Sequence, residues 1–190
     1  EALGRIVFPD GSVKTMGEFF LSNQYEINTD INNFSPFRQF QRNIDHKLRE
    51  QSLIVLAQDP NPNSKLFINI SPAIMMTYMD AANSSSKLPP TIQKVKELGI
   101  SPERIVIEIT EDYIHKNLES LKPLIHMYKD FGFKIAIDDL GSKSSNLDRI
   151  GIFLPDIIKV DMQMLRMSLV ERSYREILYT LSRLGESLGI

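Results

Sequence analysis

Four short apolar runs in this chain carry groups that bind cations or phosphate at or near their C-terminal ends. Leu66-Phe67-Ile68-Asn69-Ile70 carries Asn69, and Ile105-Val106-Ile107-Glu108-Ile109 carries Glu108. Lys134-Ile135-Ala136-Ile137 runs into Asp138 and Asp139, and Ile157-Ile158-Lys159-Val160 carries Lys159 ahead of Asp161. An ionised group inside such a run is costly unless it is paired or bound to a metal. Strand side chains alternate between faces, so Asn69 shares a face with Phe67 and Ser71, and Glu108 with Val106 and Thr110. One acid at a strand end is ordinarily a helix cap or a surface ion pair. Four successive runs with the same feature predict a converging cluster of oxygen ligands beside one lysine. Oxygen ligands favour hard cations such as Mg²⁺ or Mn²⁺. Adjacent aspartates point to more than one ion, a device suited to displacement at phosphorus. The lysine would hold a phosphate oxygen or an attacking water.

The elements that must position these groups follow from the pattern. Ser35-Pro36 is an N-cap followed by a proline at the first helical position, and Phe37, Phe40, Ile44 and Leu48 continue as one stripe expected to face the core. Further helices are expected from Pro72, over 91–98, over about 114–130 and over about 171–188. Phe8-Pro9-Asp10-Gly11-Ser12 is a turn signature. Short buried strands separated by helices predict parallel βαβ units, in an open doubly wound sheet or a (β/α) barrel. The glycine-rich phosphate loops of the open nucleotide-binding folds are missing. In a barrel, the C-terminal strand ends build the site.

Composition removes other chemistries. The chain has 190 residues, 42% hydrophobic and 24% charged, enough for a sizeable core in one domain. A net charge of −2 argues against bulk affinity for DNA, RNA or an anionic membrane. No cysteine is present, which excludes disulfides, thiolate metal sites and cysteine nucleophiles and fits a reducing, cytoplasmic setting. No apolar run approaches the roughly 18 residues of a membrane span, so no membrane contact is expected from this segment. The start, Glu1-Ala2-Leu3-Gly4-Arg5, is unlike a signal peptide, and the segment is expected to be part of a longer protein, cut at both ends. His46, His115 and His126 lack metal-ligand spacing, and Ser144 and Ser145 lack a relay. Met75, Met76 and Met79 read as core filler, and Met162, Met164 and Met167 as packing for a helix or an interface.

Five motifs in order resemble the EAL domains, bacterial phosphodiesterases of cyclic di-GMP. Glu1-Ala2-Leu3 with Arg5 is similar to E-A-L-x-R, and Asn69-Ile70-Ser71 to N-x-S. Glu108-Ile109-Thr110-Glu111 is similar to E-L-T-E, Asp138-Asp139-Leu140-Gly141 to D-D-F-G, and Ile158-Lys159-Val160-Asp161 to I-K-I-D. The resemblance covers essentially the whole chain, so residues 1–190 are expected to be one partial EAL domain. It implies an α/β fold, a TIM-barrel-like (β/α)₈ barrel with one antiparallel strand, here without its first strand and last two strands. It implies that Glu1, Asn69, Glu108 and Asp138 bind one metal ion and that Asp139 holds a second, Mg²⁺ or Mn²⁺ being required. Lys159 would position the attacking water, and Glu111 would brace the loop after Asp139. Arg5 would contact a ligand phosphate, with Leu3 and Asp161 also on the substrate side. The implied reaction is hydrolysis of cyclic di-GMP to linear pGpG, with a homodimer as the family habit.

Two departures qualify the reading. The family loop D-D-F-G-x-G-Y-S-S-L is here Asp138-Asp139-Leu140-Gly141-Ser142-Lys143-Ser144-Ser145-Asn146-Leu147, without the aromatic residues and the second glycine. Lys143 does not reach positive φ as cheaply as glycine. The resemblance implies that the family's later E-G-V-E glutamate and Q-G-Y segment, which residues 1–190 do not contain, would follow Ile190. The alternative to an active enzyme is therefore a receptor that binds cyclic di-GMP with little or no turnover.

Overall fold

The computed structural model describes residues 5–7, 13–15, 36–70, 88–141 and 148–190. Two short strands, β1 (Arg5–Val7) and β2 (Val13–Thr15), pair antiparallel, with Ile6 opposite Lys14; the turn expected at Phe8-Pro9-Asp10-Gly11-Ser12 lies outside the described residues. Then come α1 (Pro36–Gln58), β3 (Leu66–Asn69), α2 (Pro90–Glu97), β4 (Ile105–Thr110) and α3 (Glu111–Asp130). They are followed by β5 (Lys134–Leu140), α4 (Asp148–Phe153), β6 (Ile157–Val160), α5 (Met162–Val170) and α6 (Arg172–Leu188). The second sheet is parallel throughout, in the order β3-β4-β5-β6. Each strand is followed by helix before the next, the alternation predicted from the sequence. The helix expected from Pro72 lies outside the described residues.

The C-terminal ends of α2 and α3 share one device. At the end of α3, Gly132 takes φ 91°, Gly132 N–H donates to Lys129 O at 2.8 Å, and Phe133 N–H donates to Tyr128 O at 3.1 Å. The next residue, Phe133, is 2% exposed and meets the Tyr128 ring edge-on at 5.3 Å. This paired closure needs a left-handed residue, which glycine adopts without a Cβ penalty. The same bonds close α2 through Gly99 and Ile100.

One face of the parallel sheet packs on the helices. Ile105, Ile107 and Ile109 of β4 and Ile135 and Ile137 of β5 meet Leu121, Leu124, Ile125 and Tyr128 of α3 in one buried cluster. Five of the six β4 residues are buried, so both of its faces are covered, as in strands flanked on each side by packed layers. In α1 the buried line runs through Arg49, Leu53 and Leu56, whereas Leu48 is 39% exposed. The stripe expected through Leu48 is thus offset: one residue is about 100° of helix, and Arg49 takes the inward position with an ion pair to Asp45 at 2.8 Å.

Two helices were not foreseen. α4 is short and enters from a Gly/Ser-rich stretch, which reads as loop. α5 begins where Asp161 Oδ1 accepts from the backbone N–H of Gln163 (2.8 Å) and Met164 (3.3 Å), an N-cap.

Candidate functional site

The face of the sheet opposite the helix-packed cluster carries the polar residues. Asn69 of β3 stands directly beside Glu108 of β4 in the ladder, and its Nδ2 donates to Glu108 Oε2 at 3.0 Å. Asp138 of β5 stands beside Thr110, one pleat further along the strands. Lys159 of β6 donates from Nζ to Glu108 Oε1 and, at 3.1 Å, to Asp138 Oδ2. Four residues spread over 91 positions of sequence thus meet because parallel strands align their C-terminal ends.

The β5–β6 ladder shows how the second aspartate is presented. Ile137 pairs with Ile158 and Leu140 with Val160, so Asp138 and Asp139 together oppose the single residue Lys159. This is a bulge, which breaks the alternation of side chains and re-aims them. Asp139 takes φ 58°, and its N–H donates to Asp138 Oδ1 at 3.0 Å. Aspartate is among the few non-glycine residues that tolerate this conformation. Adjacent residues of a regular strand point to opposite faces; the bulge is what frees Asp139 from that rule.

The electrostatics are those of a concentrated negative site held by one cation. Glu108 is 1% exposed, and its two oxygens are taken by Asn69 and Lys159. Burial works to lower the Lys159 pKa, but hydrogen bonds to Asp138 and Glu108 together with their charges outweigh it, so the ammonium is held more firmly than usual. Asp139 is shifted up, first by burial and then by the charges of Asp138 and Asp161, against the opposing pull of Lys159.

Such a set fits a hard divalent cation. Glu108 and Asp138 already converge on one positive group, the Lys159 ammonium, and the remaining donor is an amide. Among the described residues no three acidic or imidazole groups form a ready metal cage. The ligands available are two carboxylates and the Asn69 amide, with Asp139 adjacent.

The expected site residues divide accordingly. Asn69, Glu108, Asp138 and Lys159 are brought together, with Asp139 beside them on the bulge. Asp161 lies at the same strand end, where its carboxylate caps α5. Arg5 is the first residue of β1 and Glu111 the first of α3, and their side chains lie outside the described residues, as do Glu1 and Leu3. No motif drew attention to Asp156. Its Oδ1 meets Lys134 Nζ at 2.8 Å, its Oδ2 accepts from Ile135 N–H at 2.9 Å, and its own N–H donates to Ile135 O at 2.8 Å. The sequence signal was an aspartate opening a strand, Pro155-Asp156-Ile157, which reads equally as a turn.

Comparison with known proteins gives a consistent picture. The EAL domain family model matches residues 37–190. The EAL-domain containing protein YkuI of Bacillus subtilis (strain 168) is 32% identical over 195 residues, covering 100% of this chain and 42% of that protein. Its crystal structure in complex with substrate c-di-GMP and calcium superposes with a TM-score of 0.72, at 28% identity, over 98% of this chain and 41% of that one. Klebsiella pneumoniae BlrP1, in a manganese/cy-diGMP complex, gives a TM-score of 0.69 at 25% identity, over 82% of this chain and 40% of that one. The probable cyclic di-GMP phosphodiesterase PdeA of Escherichia coli (strain K12) is 41% identical over 70 residues, 37% of this chain and 10% of that protein. The chain therefore spans less than half of the length of these relatives, and its fold is the barrel-like fold of those structures.

Proposed function

The chain belongs to the EAL domain family, and from that premise we propose that it is the cyclic di-GMP phosphodiesterase module of a longer bacterial signalling protein. The observation that carries this is the convergence of Glu108, Asp138, Asn69 and Lys159 at one strand-end face. Water adds to one phosphorus, the P–O3′ bond breaks, and linear pGpG leaves with a 5′-phosphate and a 3′-hydroxyl. Glu1, Asn69, Glu108 and Asp138 hold a divalent ion, Mg²⁺ or Mn²⁺, and Asp139 a second. Such ions supply Lewis acidity and a more acidic bound water. Lys159 orients the attacking water, and its two carboxylate contacts fix where the ammonium points. Arg5 would contact a ligand phosphate, with Leu3 and Asp161 also on the substrate side, and Glu111 would brace the loop after Asp139. The protein acts as a homodimer in the cytoplasm. Among the described residues no helix is long and apolar enough to cross a membrane.

A second reading, a cyclic di-GMP receptor with little turnover, is favoured by one observation: Lys143 and Ser144 stand where the family loop has glycine and tyrosine. Incubation of the full-length protein with cyclic di-GMP and Mn²⁺, followed by chromatography, separates the two. Linear pGpG whose formation EDTA abolishes supports the enzyme. Intact nucleotide retained by the protein supports the receptor, and neither product nor binding overturns both.

A further inference from the structure

β6 has little of its own to fix its register. Its four residues, Ile157, Ile158, Lys159 and Val160, are all half-buried, and of its aliphatic side chains Ile158 is the one packed against the buried cluster, so the contrast between its two faces selects an alignment only weakly. A slip of one residue turns every side chain to the opposite face. Lys159 would then leave Glu108 and Asp138, and an aliphatic side chain would take its place beside a buried carboxylate.

The upper end of the strand does not prevent this. There Asp161 N–H donates to Leu140 O at 3.1 Å, and the Asp161 carboxylate caps α5. Between that bond and the Ile137–Ile158 pair lies the bulge, whose spare residue lets the top stay paired while the segment below slides. A stronger constraint lies below. Asp156 provides it with three contacts on two successive β5 residues: Lys134 Nζ at 2.8 Å, Ile135 N–H at 2.9 Å and Ile135 O at 2.8 Å. Ile135 lies three residues before Asp138, and Asp156 three before Lys159, so fixing the lower pair fixes the upper one.

We propose that Asp156 is a positioning residue, whose clamp on Lys134 and Ile135 sets β6 in the register that places Lys159 on Glu108 and Asp138. The phosphodiesterase reading enters only in the use made of Lys159; the register itself is a property of the strands. The test uses the full-length protein with Asp156→Ala, Asp156→Asn and, as a control, Leu124→Ala in the buried face of α3. Two quantities are read: acylation of the Lys159 amine in metal-free protein, by mass spectrometry, and Mn²⁺ affinity, by equilibrium titration. Asp156→Ala should raise Lys159 labelling several-fold and weaken Mn²⁺ binding about tenfold, the scale of an outer positioning contact. Asp156→Asn should recover most of both, because its amide oxygen still accepts from Ile135 N–H. Leu124→Ala should lower the melting temperature and move neither quantity, which separates positioning from bulk stability. Unchanged Lys159 labelling in folded Asp156→Ala, or an equal rise in Leu124→Ala, overturns the assignment. Should Asp156→Ala fail to fold, Asp156→Ser, whose shorter side chain cannot span both partners, is judged by the same criteria. No Mn²⁺ binding by the unaltered protein would defeat the phosphodiesterase reading, while the labelling would still decide the register.

Discussion

Glu108 is a carboxylate at 1% exposure, and its charge is tolerated only because both oxygens are occupied. Removing its cation should therefore hurt the metal-free protein. Lys159→Met leaves a buried anion with one amide partner and should cost about 1–3 kcal/mol, less than a fully buried pair because Lys159 keeps 32% of its side chain exposed. Thermal unfolding in EDTA reads this. Mn²⁺ should reverse much of the loss, since a bound cation restores the missing charge; a loss that Mn²⁺ leaves untouched would count against metal binding at Glu108. The opposite change, Glu108→Gln, removes the buried charge and keeps an oxygen for Asn69. It should fold normally and lose metal-dependent hydrolysis by about a hundredfold or more, the scale of deleting one preorganised electrostatic group at a reacting centre. These four residues were legible in the sequence because buried strands have few reasons to carry polar groups. What was not legible is which oxygen meets which partner, since that depends on register across strands up to 51 residues apart.

At the scale of elements, the bulge in β5 and the clamp below it do separate jobs. Asp139 sits at φ 58°, where any Cβ costs roughly 1–2 kcal/mol and glycine costs none. Asp139→Gly should therefore hold or slightly raise the melting temperature while lowering activity at limiting Mn²⁺. Asp139→Val should destabilise, because a β-branched side chain fits that conformation poorly. Equal stability of the two variants would mean that the backbone does not keep this turn in solution. The Asp156–Lys134 pair gives a pH signature. Burial acts to raise the Asp156 pKa, but the Lys134 contact, the Ile135 N–H and the charges of Lys134 and Lys129 outweigh it, so the folded value lies below the ordinary one. A depressed aspartate stabilises the fold above its unfolded pKa, about 4, and loses that contribution as pH falls through the folded value. Denaturant midpoints measured from pH 6 down to 2.5 should fall less steeply in Asp156→Asn than in the unaltered protein. Parallel slopes would show that the pair does not persist in solution. The bulge and the clamp escaped the sequence reading for one reason: both are relations between strands, and neither leaves a periodic trace within one. α5 escaped for another, since its nine residues expose Met162, Leu165 and Leu169 and so lack a clear inward stripe.

For the molecule as a whole, parallel strands turn separate residues into one site. The ladder aligns Asn69 with Glu108 and Thr110 with Asp138, while the odd-numbered isoleucines of β4 and β5 hold the opposite face to α3. The alternation of strand and helix was readable because each strand is a short aliphatic run and each helix of the α2 and α3 type ends at a glycine. The choice between an open sheet and a barrel was not readable from alternation alone; the motifs implied the barrel, and the structural relatives bear it out. Since the site draws on strands distributed across the fold, a cation bound there should stabilise the fold as a unit. At a free Mn²⁺ concentration about 100 times the dissociation constant, linkage gives about 2.7 kcal/mol, or roughly 5–10 °C for a domain of this size. The melting temperature of the full-length protein should rise with Mn²⁺ along that curve. Glu108→Gln should flatten the response, and Leu124→Ala should show the same rise from a lower starting point. A response of equal size in Glu108→Gln would place the stabilising ion elsewhere and detach the strand-end cluster from metal binding.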